Sequence, residues 1–231
     1  MKSAIMQPYF MPYIGYFQLI NFVDKFIIYD DVNYIKRGWI NRNRILINSE
    51  PSYISVPLVA VSQNKLIKDT LLNKEDATFK KLKRAVFFSY KAAPFFDEIY
   101  TLIDNILVFE EDIASFNTRL IKEVCKYLGI DTEIVESSRV YNNINLKGQE
   151  RILDICKQEN TVHYINPVGG MELYDQDYFI SNRIQLSFIQ SKKIEYKQFG
   201  NDFVPFLSII DVMMFNHRDT VREMLGDFEL I

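Results

Sequence analysis

Between Met6 and Asn21 the chain reads MQPYFMPYIGYFQLIN, with prolines at 8 and 12, a glycine at 15 and five tyrosine or phenylalanine rings. Proline has no backbone N–H and a fixed φ, so Pro8 and Pro12 cannot lie inside a helix or a central strand. Ser3 to Met6 carries the apolar run of a short buried strand, and from Tyr13 onward the apolar spacing is that of a helix. The prolines therefore mark a turn from a strand's C-terminal end into a helix N-terminus, the corner where α/β domains bind anions or nucleotides. Pro12 suits the first helical position, and Gly15 admits backbone or ligand close to the first turn, whose free N–H groups favour phosphate. The same rings also suit a small aromatic core, and the segment by itself fits both readings.

Phe26 to Tyr29 reads as a second strand that ends in Asp30 and Asp31. After it comes VNYIKRGWINRNRI, where Lys36, Arg37, Arg42 and Arg44 alternate with Tyr34, Trp39, Asn41 and Asn43. Guanidinium groups grip phosphate or carboxylate, flat rings stack on bases or sugars, and asparagines supply donors and acceptors. The bland alternative is a solvated basic turn with Trp39, the only tryptophan, capping the core.

QPYFMPYIGYFQLI, a strand ending in YDDV and then KRGWINRNRI together resemble the WbqC family of bacterial proteins, associated with O-antigen and other surface-polysaccharide gene clusters. The resemblance continues through GQERILDICK (148–157), HYINPVGGMELYD (163–175) and FVPFLSIIDVMMFN (203–216) and so covers nearly the whole chain. Asn166 and Pro167 stand where a Ser-Gly pair is expected, and the last motif runs into His217 in place of a glycine. The resemblance implies a role in lipopolysaccharide O-antigen biosynthesis and a transferase acting on a nucleotide-activated sugar. The transferred group would be acyl or aminoacyl, such as glycyl, and the acceptor an amino sugar. A non-catalytic sugar-nucleotide-binding or scaffold protein of the same pathway is the alternative.

With 231 residues and 48% apolar content, the chain is long enough for one good-sized core, and no linker or low-complexity tract divides it. The expectation is a single domain over 1–231. Its net charge of −3 argues against a protein that wraps duplex nucleic acid. Cys125 and Cys156 lie among aliphatic residues of helix-like runs, as buried thiols in a reducing cytoplasm do. No apolar stretch approaches a membrane span, and the N-terminus runs straight into a strand, so a cytoplasmic protein without an integral membrane segment is expected.

Extended chain is predicted at Tyr53 to Val56 and helices over 74–89, 95–107 and 112–128, the last capped by Gly129. A strand follows at 133–136, then a helix at 148–158, a strand at 162–165, a helix at 176–182, a strand at 184–188 and helices at 206–215 and 217–225. This alternation predicts an α/β fold: a Rossmann-like, mainly parallel sheet flanked by helices, with strand 1 near the middle and a helical insertion over roughly 74–129. YIGY at 13–16 would occupy the corner that HxGH occupies in nucleotidylyltransferases. A tyrosine hydroxyl there donates a hydrogen bond but carries no positive charge. The charge would then have to come from Lys36, Arg42 or Arg44.

The candidate catalytic residues are thus Asp31, Asp30 and Tyr13. At a strand end the two aspartates suit a general base or, with substrate phosphates, Mg²⁺; the competing reading pairs them with Lys36 or Arg37. No His/Cys metal-ligand spacing and no Ser-His-Asp arrangement is present. Substrate-binding candidates are Gln7, Tyr9, Tyr16, Lys36, Trp39, Asn41, Arg42 and Arg44, together with Gly169 and Gly170, whose N–H groups suit either phosphate or a tight turn. Lys147 and Arg151 at a helix start suit a second anion or plain solvation. Ser208, Asp211 and Asn216 admit either a site or a buried hydrogen-bond network.

Overall fold

The computed structural model describes residues 1–73, 76–200 and 202–231, without the side chains of 76–78. In chain order the elements are β1 (Lys2–Met6), α1 (Ile14–Phe22), β2 (Lys25–Ile28), β3 (Arg42–Ile47), β4 (Glu50–Ser55), α2 (Asp76–Tyr90), α3 (Phe96–Ile106), α4 (Ile113–Leu128) and β5 (Glu133–Val135). They continue with α5 (Gly148–Gln158), β6 (His163–Pro167), α6 (Gln176–Ser181), β7 (Gln185–Ser191), α7 (Ile209–Phe215), α8 (Arg218–Met224) and β8 (Phe228–Leu230). The start expected at Lys74 for the first of the three long helices lies outside the described residues.

Six strands form one sheet in the order β5-β2-β1-β6-β7-β8. All neighbours are parallel except the β7–β8 pair at the edge. Ser3 pairs with Lys25 on one side and Tyr164 on the other, which puts β1 inside the sheet, joined to β2 through α1. Alternation along the strands feeds two cores. Ala4, Phe26 and Ile28 face α1, α4 and α7, whereas Ile5, Ile27, Leu186 and Phe188 face Ile152 and Ile155 of α5 and Phe179 of α6. The fold is therefore a Rossmann-like α/β sheet covered on both faces. Among the described residues, no helix is long and apolar enough to cross a membrane. Both cysteines are buried and free, and burial pushes each thiol up to about 12.

Gly129 ends α4 as expected, at φ +69°, with its N–H turned back onto the last turn. Three local readings are corrected. Arg42 to Ile47, within the stretch for which a solvated basic turn is the competing reading, is a strand that pairs antiparallel with β4 in a separate two-stranded sheet. Asn48 and Ser49, at φ +54° and +63°, make the tight two-residue turn between them. Pro12 lies one residue before the cap of α1, since the helix begins at Ile14 with Tyr13 as N-cap. The helix expected from Phe206 starts at Ile209, because Ser208 caps it by accepting from the Ile210 N–H.

Asp211 belongs to a buried network. Its carboxylate accepts hydrogen bonds from Tyr90 Oη, Tyr196 Oη and Gln198 Nε2, each at 2.7 Å, tying α2, α7 and the segment after β7 together. Burial pushes the carboxyl up, against these hydrogen bonds. A folded-state value above the unfolded one means that the native protein holds this proton more tightly. The group's contribution to stability is thus greatest in acid and is lost as pH rises from about 4 through the folded value. The stability difference between wild type and Asp211→Asn, measured by urea denaturation at several pH values, should shrink as pH increases; a constant difference would contradict the tight proton binding.

Candidate functional site

The segment from Gln7 to Pro12 crosses the C-terminal edge of β1, and almost every carbonyl in it is held from outside. Tyr16 Oη donates to Gln7 O at 2.8 Å, and Asn117 Nδ2 of α4 to Pro8 O at 2.8 Å. Asn43 Nδ2 of β3 donates to Phe10 O at 3.0 Å and Met11 O at 2.7 Å. Ser208 Oγ reaches Met11 O at 2.7 Å, and the Ile209 N–H reaches Pro12 O at 2.9 Å. The Phe10 N–H donates in turn to Trp39 O at 2.9 Å. Met11, at φ +40°, is in a region that side chains seldom adopt and is fixed by these bonds. The loop is thus a rigid rim with Phe10 and Met11 driven into the core and Gln7, Tyr9 and Tyr13 half-buried along it.

Tyr13 meets Phe206 edge-on, with ring centroids 6.3 Å apart. Burial pushes its hydroxyl up, as it does those of Tyr9 and Tyr16, so all three are neutral donors at physiological pH. A Cβ on Gly15 would lie 2.4 Å from the Tyr13 ring and 2.5 Å from Ser191 Oγ. Glycine here makes room for Tyr13 to lie against the first turn of α1. Tyr16, expected to bind substrate, is fully buried and spends its hydroxyl on Gln7 O, a structural role.

From Phe206 the surface continues across the hairpin. Arg44 Nη2 donates to Phe206 O at 3.3 Å, and its guanidinium lies 6.0 Å from the Trp39 ring. Trp39 stacks on Tyr53 at 6.3 Å, and Arg42 sits 4.5 Å over the opposite end of this pair, on Tyr53. Arg42 and Arg44 alternate with the inward Asn43 and Ile45, so both cations point to the same face of β3. Tyr13, Phe206, Arg44, Trp39, Tyr53 and Arg42 form one unbroken line, in which Trp39 is 38% and Tyr53 55% exposed. Lys36 is exposed in the turn before β3. Asn41 is not available as expected: it accepts from Tyr34 Oη at 2.7 Å and donates to Val56 O at 3.0 Å.

Asp30 and Asp31 sit beyond β2, both buried. Ser137 Oγ donates to both Asp30 oxygens at 2.8 Å, and the Ser138 N–H donates at 3.1 Å. Burial pushes the Asp30 carboxyl up against these bonds. Asp31 accepts from Ser138 Oγ and pairs with Arg151 Nη2 at 2.6 Å, with both side chains 4% exposed. Arg151 also donates to Asp31 O and Asn143 Oδ1, while its guanidinium lies 5.0 Å from the Tyr29 ring. The ion pair expected with Lys36 or Arg37 is therefore made with Arg151, and Arg151 is not a second anion site. Nor do these aspartates suit Mg²⁺: hydrogen-bond donors and a guanidinium already surround their oxygens. Among the described residues, no group of three or more His, Cys, Asp and Glu side chains could hold a metal ion.

Gly169 and Gly170 lie in a 3₁₀ turn after β6, the strand beside β1. A Cβ on Gly170 would fall 2.0 Å from Asn166 Nδ2, so a side chain there would displace that amide, whereas Gly169 faces open space. Sequence reasoning missed Tyr53 and Phe206. Tyr53 could be found only through the hairpin register that sets it opposite Arg44.

These features define an α/β protein with an aromatic and cationic rim at the C-terminal strand edge, beside the point where the connections leaving the neighbouring strands β1 and β6 run in opposite directions. The chain belongs to the WbqC-like protein family, whose profile matches residues 7–223. It is 35% identical over 216 residues, 92% of each chain, to an uncharacterized protein of Mycobacterium tuberculosis (strain ATCC 25618 / H37Rv). No solved structure gives a significant match.

Two substitutions test the framework. Asn43→Ala removes the donor to Phe10 O and one donor to Met11 O, and should cost about 1 to 3 kcal/mol in urea denaturation, the penalty of a buried polar group left unpaired. Arg151→Met leaves Asp31 buried without its cation and should cost about 3 to 5 kcal/mol. Adding Asp31→Asn to Arg151→Met should recover part of that loss; additive losses in the double-mutant cycle would mean that the pair is uncoupled.

Proposed function

We propose that this chain is a cytoplasmic, single-domain enzyme of bacterial surface-polysaccharide (O-antigen) biosynthesis that binds a nucleotide-activated sugar and transfers an acyl or aminoacyl group, such as glycyl, to an amino sugar. Membership of the WbqC-like family supports the pathway. The observation that carries the binding role is the line of Tyr13, Phe206, Arg44, Trp39, Tyr53 and Arg42, which alternates rings with cations beside the first turn of α1. Open parallel sheets bind ligands in the crevice outside the strands' C-terminal ends, where the connections diverge. Here the loop after β1 and the Gly169 turn after β6 follow neighbouring parallel strands, and the ligand would lie between them. Diphosphate would meet Arg44, Arg42 and Lys36, and flat base or sugar faces would stack along Trp39 and Tyr53.

In this reading Tyr13 acts as a neutral hydrogen-bond donor at the helix start, and Gln7, Tyr9 and Gly169 complete the crevice wall. Asp31 is relieved of the general-base role: paired with Arg151, it positions the end of β2 and the Tyr29 ring. The saturation of both aspartates favours a second reading, a sugar-nucleotide-binding protein of the same pathway without turnover.

Calorimetric titration with a panel of sugar nucleotides tests the assignment. Wild type should bind at least one member, and Arg42→Ala should weaken that binding by at least tenfold, since a charge-assisted contact contributes about 1.5 to 3 kcal/mol. Binding without acyl transfer to an amino sugar would select the second reading, and no binding by folded protein would dismiss both.

A further inference from the structure

The outer face of α2 lies apart from the strand-edge site. Phe79, Leu82, Val86 and Tyr90 bury its inner face. On the other side Lys81, Arg84, Phe88 and Lys91 follow one another at intervals of three and four residues, the spacing of a single helix stripe that runs just past the helix end. All four are exposed. Phe88 is 61% exposed, and the Lys91 ammonium stands 5.7 Å from its ring. A shallow depression of about 480 Å³ runs among Lys81, Arg84, Ala85 and Phe88.

Neighbouring charges are disposed differently. Lys83 turns to α3 and pairs with Asp104 at 2.8 Å, and Glu98 of α3 accepts from Tyr127 Oη at 2.9 Å. Among the described residues, no carboxylate forms an ion pair with Lys81, Arg84 or Lys91. In a chain of net charge −3, this stripe gathers positive charge that no carboxylate among the described residues pairs with, around one protruding phenyl ring. Phe87 stacks edge-on against Phe88, Phe96 and Tyr100, which backs the stripe with a fixed aromatic cluster.

We infer that this face of α2 docks the protein onto an anionic bilayer surface, with Lys81, Arg84 and Lys91 against headgroup phosphates and Phe88 entering the boundary with the acyl chains. Cations flanking an apolar ring on the polar side of a surface helix suit a layered interface, charged outside and apolar beneath. Ammonium and guanidinium groups on long stems need no fixed partner geometry there, and attraction to a diffuse negative layer adds over the stripe. A purely acidic protein segment would satisfy the cations but leave Phe88 without an apolar partner. A second copy of the chain would bring the same positive charge against itself.

Cosedimentation of the full chain with vesicles of phosphatidylcholine alone, or mixed with phosphatidylglycerol, tests this. Wild type should pellet with the mixed vesicles only, and less as salt is added. Each cation near such a surface contributes about fivefold to partitioning, so Lys81→Glu with Arg84→Glu should lower it by at least about twentyfold. Phe88→Ser should lower it several-fold while preserving the salt dependence. Both variants should unfold close to the wild-type temperature, because the stripe lies outside the buried core and Phe88 gives up only its edge contact with Phe87. Failure to bind mixed vesicles, equal binding to phosphatidylcholine alone, or partitioning unchanged in the charge-reversed variant would overturn the inference. So would tighter binding to polyglutamate than to vesicles, which points to an acidic protein partner, or a dimer abolished by the same substitutions, which points to a second copy.

Discussion

Hydrogen bonds from Asn43, Asn117 and Ser208 to the carbonyls of the loop after β1 are the constraint around which the rest of this structure is arranged. A loop broken by Pro8 and Pro12 cannot pair its own backbone in a helix or ladder, yet Phe10 and Met11 are buried. Each buried carbonyl therefore needs a donor from elsewhere. The donors come from a hairpin strand, a long helix and a helix cap, separated from the loop by about 32 to 197 positions in sequence. Hairpin, α4 and α7 are thereby fastened to the same short rim.

That dependence explains which parts of the fold were legible in the sequence. Strand–helix–strand alternation from Ser3 to Tyr29 is local, and so are the glycine cap of α4 and the amphipathic run of α5; each was readable from spacing alone. β3 was not, because Arg42, Asn43 and Arg44 look like a polar loop until Asn43 is known to point inward at Phe10 O. Its Asn48–Ser49 turn was the available signal. β8 is three residues long and paired only at the edge of the sheet, too short for any period to show. The aromatic and cationic character of the candidate site was legible, but its exposed members were not separable from the buried ones. Asn41, Asn43 and Tyr16 carry the same chemistry as ligand contacts and differ from them only in being used up by backbone or neighbouring groups.

Charge in the strand-edge region divides into two environments that composition alone cannot distinguish. Arg151 and Asp31 are both desolvated and neutralise one another, with serine and asparagine taking up further donors and acceptors. Such a pair is costly to break and contributes little field to a ligand, so it serves to fix the ends of β2 and α5. Arg42 and Arg44 instead rest on aromatic faces and backbone carbonyls, with no carboxylate partner among the described residues. Their positive charge is held in place without being cancelled.

The tyrosines at the start of α1 make that second arrangement necessary for an anionic ligand. Burial keeps Tyr9 and Tyr13 protonated, so the corner offers hydroxyls and the unpaired N–H groups of a helix without a capping side chain, and no formal charge. A helix end and neutral donors orient a phosphate but leave most of its charge uncompensated. Arg44 is connected to Tyr13 through Phe206, and it is delivered by a hairpin whose own position is set by Asn43. The bond that pins the loop and the charge that would complete the site are thus carried on adjacent residues of one strand. Displacing β3 would therefore release both at once, which couples the rigidity of the rim to its capacity to hold an anion.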